Sequence, residues 1–535
     1  MAVRIGRGGY DQNRMMRIPT SRRDLLSYAA ALAHVAIVLL VLAVPVNAVW
    51  HVVLGVLNDS TGGLNDVIDP VRWRTLLVNT SIVSAAAAAT ALAFGVSFGF
   101  LIGRTDLPGR RWLAGAALLG ACVPLYVSVI FIFAQIPLWQ YRGSALACGV
   151  MHGLVLAPLA TLILAAVFRA ADRELEDQAR LECGDFAVFR RITLPHAGWG
   201  VAIAGMIVVL LTATDHTITD ILIVRTFAEE VYTQFILDRS AAGPLLVGLP
   251  VTAALGAMLI GMQRRYRFFG ENLPWHAGGP PRTFELGRWR LPVALAAPAV
   301  VLALMGPPAW ALLAWIGHGK ALGATIALLQ TELWRTLLVA AAGATLIVIF
   351  AIGLAWTALR TRRLRWIVLM MIVVLLGLPA PVIGISLIEL LNRPNWLGAV
   401  YDSPVAVVIG YVSRFLPLGV LLMLPAIQRV SVEHEQAARV DGCNWLLTQW
   451  HVYWPAARHQ VAVVWLVLAI LCFGEVAATV LVAPPGWPLA SVRAYTLIHS
   501  GVCRDLAVLA LLTIGYIILP WLLLVVLLRR RPAEA

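Results

Sequence analysis

The sequence predicts an all-α integral membrane protein of about twelve transmembrane helices, arranged as two parallel six-helix repeats. Three observations predict it. Hydrophobic residues make up 60% of the 535 and charged residues only 13%, and the mean hydropathy is +0.83; a soluble domain is nearer half apolar and a quarter charged. Apolar runs long enough to cross about 30 Å of hydrocarbon, roughly 20 residues each, recur along the whole chain. And "WRTLLV" occurs twice, at Trp73–Val78 and Trp334–Val339, 261 residues apart.

The runs fall at about 28–53, 75–103, 112–138, 146–168, 198–222 and 243–262, then at 291–317, 334–358, 366–391, 404–427, 460–484 and 505–528. The first follows an Arg-rich stretch but is too long for the core of a usual signal peptide, so it reads as an uncleaved span. Basic residues set the orientation. With the N-terminus in the cytoplasm, 30 of the 41 Lys and Arg fall in inside segments, and the positive-inside rule then puts both termini in the cytoplasm. The net charge of +13 is accordingly a topology signal and a lipid-headgroup contact, and requires no nucleic acid. The six cysteines are scattered without CxxC or Cys/His spacing, so they read as small buried hydrophobes; no metal site and no catalytic constellation is expected.

Further landmarks recur at the same offset. Pro158 in the fourth span matches Pro417 in the tenth, and "DQARLECGDFAVFRRITLP" at 177–195 matches "QAARVDGCNWLLTQWHVYWP" at 436–455. Ala179 lies 259 residues before Ala438, and Pro195 lies 260 before Pro455. The chain divides into a basic cytoplasmic tail (1–24), a first repeat (25–262), a cytoplasmic linker (263–290), a second repeat (291–528) and a short tail (529–535). Because six spans is an even number, the two repeats share one orientation, about an axis along the membrane normal.

The repeated segment lies between spans four and five of each repeat, on the cytoplasmic side. Asp172 and Ser431 suit helix N-caps, and Glu174, Glu176, Glu433 and Glu435 follow in the first turns, where the helix dipole favours acids. Each short helix then meets a small-residue pair, Cys183-Gly184 or Gly442-Cys443. An interfacial helix on lipid headgroups is one reading; paired docking surfaces are the other, favoured by matched positions facing one compartment.

These loops carry a resemblance. Gln436-Ala437-Ala438, Gly442, Val452 and Trp454-Pro455 resemble the cytoplasmic loop signature of ABC importer permeases. The first copy departs from it: Asp177-Gln178-Ala179 replaces the acid/Ala-Ala stretch, Cys183 stands where Gly is usual, and one residue is missing before Ile192-Thr193-Leu194-Pro195. "LPAPVIG" at 378–384, "TFAEEVYTQF" at 226–235 and "FGEVAATVLVAPPG" at 473–486 resemble the fused two-half permeases of the iron(III) type.

The resemblance implies a transport subunit of the bacterial inner membrane. Two copies of a cytoplasmic ABC ATPase would hydrolyse ATP, an extracytoplasmic binding protein would deliver substrate, and lipid would surround the spans. The docking residues it implies are Glu176, Asp177, Gln178, Ala179, Glu182, Cys183 and Gly184 in the first loop, and Glu435, Gln436, Ala437, Ala438, Asp441 and Gly442 in the second. The chain holds no Gly-x4-Gly-Lys-Ser/Thr phosphate loop, since Lys320 in "GHGKAL" is its only lysine; it is not read as an enzyme and no cofactor is expected on it. The competing class is an ion-coupled secondary transporter, which needs ionisable groups within the spans. Asp215, Glu475 and Arg414 are the candidates for the pathway. Asp215 and Glu475 are 260 residues apart and sit toward the outer ends of spans five and eleven. Iron(III) is the substrate the resemblance suggests, with thiamine, polyamines and phosphonates as alternatives.

Overall fold

The computed structural model describes residues 42–50, 53–54, 69–124, 127–128, 138–169, 173–238, 242–266, 283–316, 322–428, 430–500 and 503–529. The N-terminal tail, most of the first span, much of the third span and of the linker, Asp172 and Lys320 lie outside them. What is described is helical, and its one β-type pairing is a parallel bridge between Thr105 and Phe284.

The first repeat is built on α1 (Pro70–Arg104), α2 (Arg110–Cys122) and α3 (Ala145–Arg169). Asp69 starts α1 by accepting the Val71 amide at 3.0 Å, with Pro70 at the first helical position, where a missing N–H costs nothing. Helices α1 and α3 approach closely because small residues line their seam. A Cβ added at Gly149 would lie 2.6 Å from the Val83 carbonyl, and one at Gly153 would lie 2.7 Å from that of Ala87. With hydrocarbon outside there is little hydrophobic gain in pairing two spans, so contact at backbone distance supplies the attraction.

The loop helix α4 (Arg173–Arg180) follows, then α5 (Gly198–Ala213), the short α6 (Thr217–Ile221), α7 (Phe227–Asp238) and α8 (Ala242–Tyr266). The second repeat contains α9 (Arg290–Ile316), α10 (Leu322–Arg360), α11 (Arg362–Gly377), α12 (Ala380–Leu391) and α13 (Pro404–Gln428). It ends with the loop helix α14 (Val432–Val440), α15 (Trp454–Phe473), α16 (Thr479–Val482), α17 (Ala490–Ser500) and α18 (Cys503–Arg529). Among the described residues six helices are long and apolar enough to cross a membrane, or up to nine when each of three bent pairs is taken as one span.

Three expected spans are broken rather than continuous. Residues 366–391 turn by 103° between α11 and α12, because Pro379 adopts an extended conformation with ψ 144 and lacks the N–H that would continue the helix. Spans five and eleven stop at Ala213 and Phe473, each ahead of a turn in which a buried acid, Asp215 or Glu475, accepts the amide three residues on.

The repeats interlock. Val44 and Ala48 of the first span pack into the large apolar cluster of the second repeat, as do Leu245, Val251 and Leu255 of α8. In return, Ala297 of α9 packs with Ile102, Leu107 and Leu113 of the first repeat.

Candidate functional site

Both loops are built alike. Ser431 caps α14, its hydroxyl accepting the His434 amide at 3.4 Å, and Asn444 caps the following turn through the Leu447 amide at 2.9 Å. In each loop a wide π-type turn, Phe189–Thr193 or Gln449–Tyr453, comes just before Pro195 or Pro455. The residue before each proline, Leu194 or Trp454, donates its amide to the carbonyl five residues back, Phe189 or Gln449. Such single π turns mark functional sites more often than plain helix does.

Each loop is pinned by a buried glutamate to the arginine that ends a long helix. In the first, the Glu176 carboxylate pairs with Arg104 and accepts the Thr193 hydroxyl at 2.7 Å; Arg104 is fully buried and Glu176 is 1% exposed. In the second, Glu435 pairs with Arg360 Nε at 3.1 Å and with Arg439, and accepts the Tyr453 hydroxyl at 2.8 Å. Arg360 also donates to the Val430 carbonyl at 2.8 Å. A carboxylate out of water persists only where cations and donors surround it, and the same strut is built twice.

This corrects part of the sequence reading. Glu176, Glu435 and Ala438 were expected on the docking surface, yet all three are buried. Glu435 and Ala438 are one helical turn apart and share the face of α14 that meets the bundle, as residues at i and i+3 do. The outward face of the second loop carries Gln436, Ala437, Asp441 and Gly442; that of the first carries Gln178, Glu182 and Gly184, with Asp177, Ala179 and Cys183 partly covered. Gly442 has φ +83 and nothing within 4 Å of a would-be Cβ; it is the left-handed residue that ends α14. Cys183 occupies the matching place without a positive φ, so the two loops turn differently.

Among the described residues, the end of the linker packs beside the first loop. Phe284 donates its amide to the Arg104 carbonyl at 2.6 Å, and its ring lies 4.7 Å below the Arg180 guanidinium and 5.4 Å from the Phe100 ring. Asp106 accepts the Leu286 amide at 2.9 Å.

On the opposite side, Asp215 and Glu475 occupy matching breaks. Asp215 accepts the Ile218 amide at 3.3 Å and the Thr217 hydroxyl at 3.0 Å; Glu475 accepts the Ala478 amide at 2.9 Å. Each acid meets a basic side chain from a long helix of its own repeat. His152 Nε2 is 3.4 Å from Asp215, and Arg414 Nε is 2.8 Å from Glu475. His216, next in sequence to Asp215, makes no hydrogen bond to it among the described residues. Arg414 also borders an apolar cavity between the repeats, with Met206, Leu210, Thr214, Phe415 and Leu418.

A charge pair that the sequence did not disclose ties each outer helix down. Arg72 of α1 pairs with Glu230 of α7. Glu332 of α10 pairs with Arg493 of α17, at 2.6 Å from Nη2 and 3.0 Å from Nε. Arg72 and Glu332 lie 260 residues apart and Glu230 and Arg493 lie 263 apart, so the same bridge recurs with its charges exchanged. The exchange hid it, because a search for like residues at the repeat offset passes over it.

Residues 347–531 match the family described as binding-protein-dependent transport system inner membrane component. An Fe(3+)-transport system permease protein of Haemophilus influenzae is 22% identical over 422 residues, 77% of this chain and 81% of that one. A trehalose transport system permease protein of Mycobacterium tuberculosis is 25% identical over 34% of this chain and 70% of its own length. A diacetylchitobiose uptake system permease protein of Streptomyces coelicolor is 22% identical over 32% of this chain and 62% of its own.

Proposed function

We propose that this chain, an inner-membrane permease of the binding-protein-dependent ABC importer type, is the whole translocating unit of its importer. In this reading both halves are fused in one polypeptide that seats two copies of a cytoplasmic ATPase. The observation that carries the reading is the duplicated strut. Two loops, 259 residues apart and anchored by Glu176 on Arg104 and by Glu435 on Arg360, present matched short helices. A force applied to either loop passes through a buried ion pair into the end of a long helix, α1 or α10. Two ATPases closing on ATP would draw the loops together and rock the repeats, opening the cavity beside Arg414 to one side and then the other. The excess of arginine in alternate loops of the sequence supports a cytoplasmic side for both termini and both docking loops.

Iron(III) is the proposed substrate, supported by the relative that matches across both halves; the sugar permeases match over about a third of the chain. ATP is bound by the partner and not by this chain. The test is the native mass of the assembly purified through this chain. The expected result is one permease with two ATPase copies, lost when the outward faces of both loops are substituted together. A permease recovered alone, with transport intact, would overturn the reading.

A further inference from the structure

Where the two repeats meet on the side away from the docking loops, α7 and α17 face each other. They bring together side chains far apart in the sequence. His499 Nε2 of the second repeat is 3.1 Å from Asp220 Oδ2 of the first. The Tyr495 ring lies 4.2 Å from His499, 6.3 Å from Tyr232 and 6.5 Å from His216, and His216 lies 4.7 Å from Tyr232. The Tyr495 hydroxyl faces both Tyr232 and Asp220. Two phenols, the Asp220 carboxylate and the His499 imidazole thus lie together, contributed by both repeats, with the His216 ring packed behind the two tyrosines.

A second observation points inward from this cluster. His216 is fully buried, and neither of its ring nitrogens has a hydrogen-bond partner among the described residues. Leaving a buried polar group unsatisfied costs about 1–3 kcal/mol, so an imidazole held this way against two tyrosines is poised for a visiting partner. Exposure falls along the cluster, from the His499 side chain at 44% and Asp220 at 28% to Tyr232 at 8% and His216 at zero. A ligand arriving from outside meets His499 and Asp220 first.

We propose that Asp220, Tyr232, Tyr495 and His499, with His216 behind them, form an outer receiving site that takes a hard, highly charged cation, Fe(III), from the binding protein. The site rests on the importer reading above. Phenolate and carboxylate oxygens are hard donors suited to such an ion, and imidazole completes a mixed oxygen and nitrogen set. The phenols give up their protons as the metal binds. The rings pack against each other at tilts of 31 to 73°. Glu229 on α7 sets a further carboxyl near Asp220 in the same corner. Because the donors come from both repeats, a bound ion clamps the halves together at this face. Rocking them apart pulls the donor set open and frees the ion toward the cavity.

The experiment uses the full chain with its ATPase in lipid nanodiscs and Fe(III) supplied as ferric citrate. Retained iron is measured after desalting, together with the visible charge-transfer absorption of ferric phenolate. Wild type should retain about one iron per chain and show the band. Tyr232→Phe with Tyr495→Phe, which keeps both rings, should abolish the band and lower retained iron roughly tenfold or more. Asp220→Asn should lower retained iron while the band survives at high iron. Tyr401→Phe, at the end of the short helix Trp396–Tyr401, is the control and should change neither. A band that persists in the double phenylalanine variant, or saturation by trehalose and not by iron, overturns the site. Wild type that keeps no iron yet shows ATPase activity stimulated by the binding protein refutes the site and leaves the importer reading standing. Wild type that fails to bind the ATPase refutes the importer reading itself.

Discussion

Glu435→Gln should uncouple the second docking loop while leaving the bundle folded. The Glu435 side chain is 3% exposed and meets two arginines and a phenol. The arm to Arg439, itself 51% exposed, is worth about 0–1 kcal/mol because water screens it. The arm to Arg360, at 3.1 Å and 19% exposed, is a largely buried ion pair, and removing one partner of such a pair costs about 3 kcal/mol. Glutamine keeps an acceptor for Tyr453 but turns an amide donor toward a guanidinium. A net loss of about 3 kcal/mol raises the open population of the loop roughly a hundredfold. The assay is amide hydrogen exchange over 432–443 in nanodiscs, alongside the affinity for the ATPase. Exchange in α14 should quicken about a hundredfold and the affinity should fall in step, with the α1–α3 seam unchanged. Glu176→Gln should cost more, roughly 3–5 kcal/mol, because Arg104 and Glu176 are 0% and 1% exposed and water cannot take over. Wild-type exchange and ATPase affinity in Glu435→Gln would refute the strut.

Gly442→Ala should cost only about 1–2 kcal/mol, since it forces a side chain to φ +83 in open space; Gly442→Arg should abolish ATPase association where Cys183→Arg only weakens it, and equal losses by pull-down would make the two loops interchangeable. Arg72→Glu should destabilise α7, and adding Glu230→Arg should restore the melting temperature to near wild type, because the second repeat already carries this bridge with its charges exchanged; no recovery in the double variant would remove the pair from the account. Asp215→Asn and Glu475→Gln should each reduce transport more than protein level or basal ATPase activity, with Glu475→Gln also lowering stability by about 3 kcal/mol through an unpaired Arg414. Wild-type uptake by the double neutral variant would make both acids bystanders to transport.

The helical class was legible because apolar span and charge asymmetry are properties of composition. The division into two repeats rests on the sequence itself, on a six-residue identity and two proline pairs at one offset. Which face of α14 turns outward was not, since a nine-residue helix with two glutamates reads as uniformly polar until Arg360 and Tyr453 arrive from 75 residues before Glu435 and 18 after it. The breaks after Ala213 and Phe473 were missed for a related reason: Val476–Val482 stays mostly apolar past the second, and the polar stretch Thr214–Asp220 past the first reads equally well as the end of a span. Asp215 and Glu475 were rightly paired with each other by offset, while the His152 partner of Asp215 lies 63 residues away on α3. The tyrosine and histidine cluster could not be read at all, because its members join only when the two repeats pack.

The central claim is that ATP hydrolysed by docked partners drives this chain. The most direct measurement is uptake into proteoliposomes that hold the chain and its ATPase, with the binding protein outside. The account predicts ferric uptake only with internal ATP and external binding protein, lost when Glu176→Gln and Glu435→Gln are combined. Uptake sustained by an ion gradient with no ATP inside would contradict it.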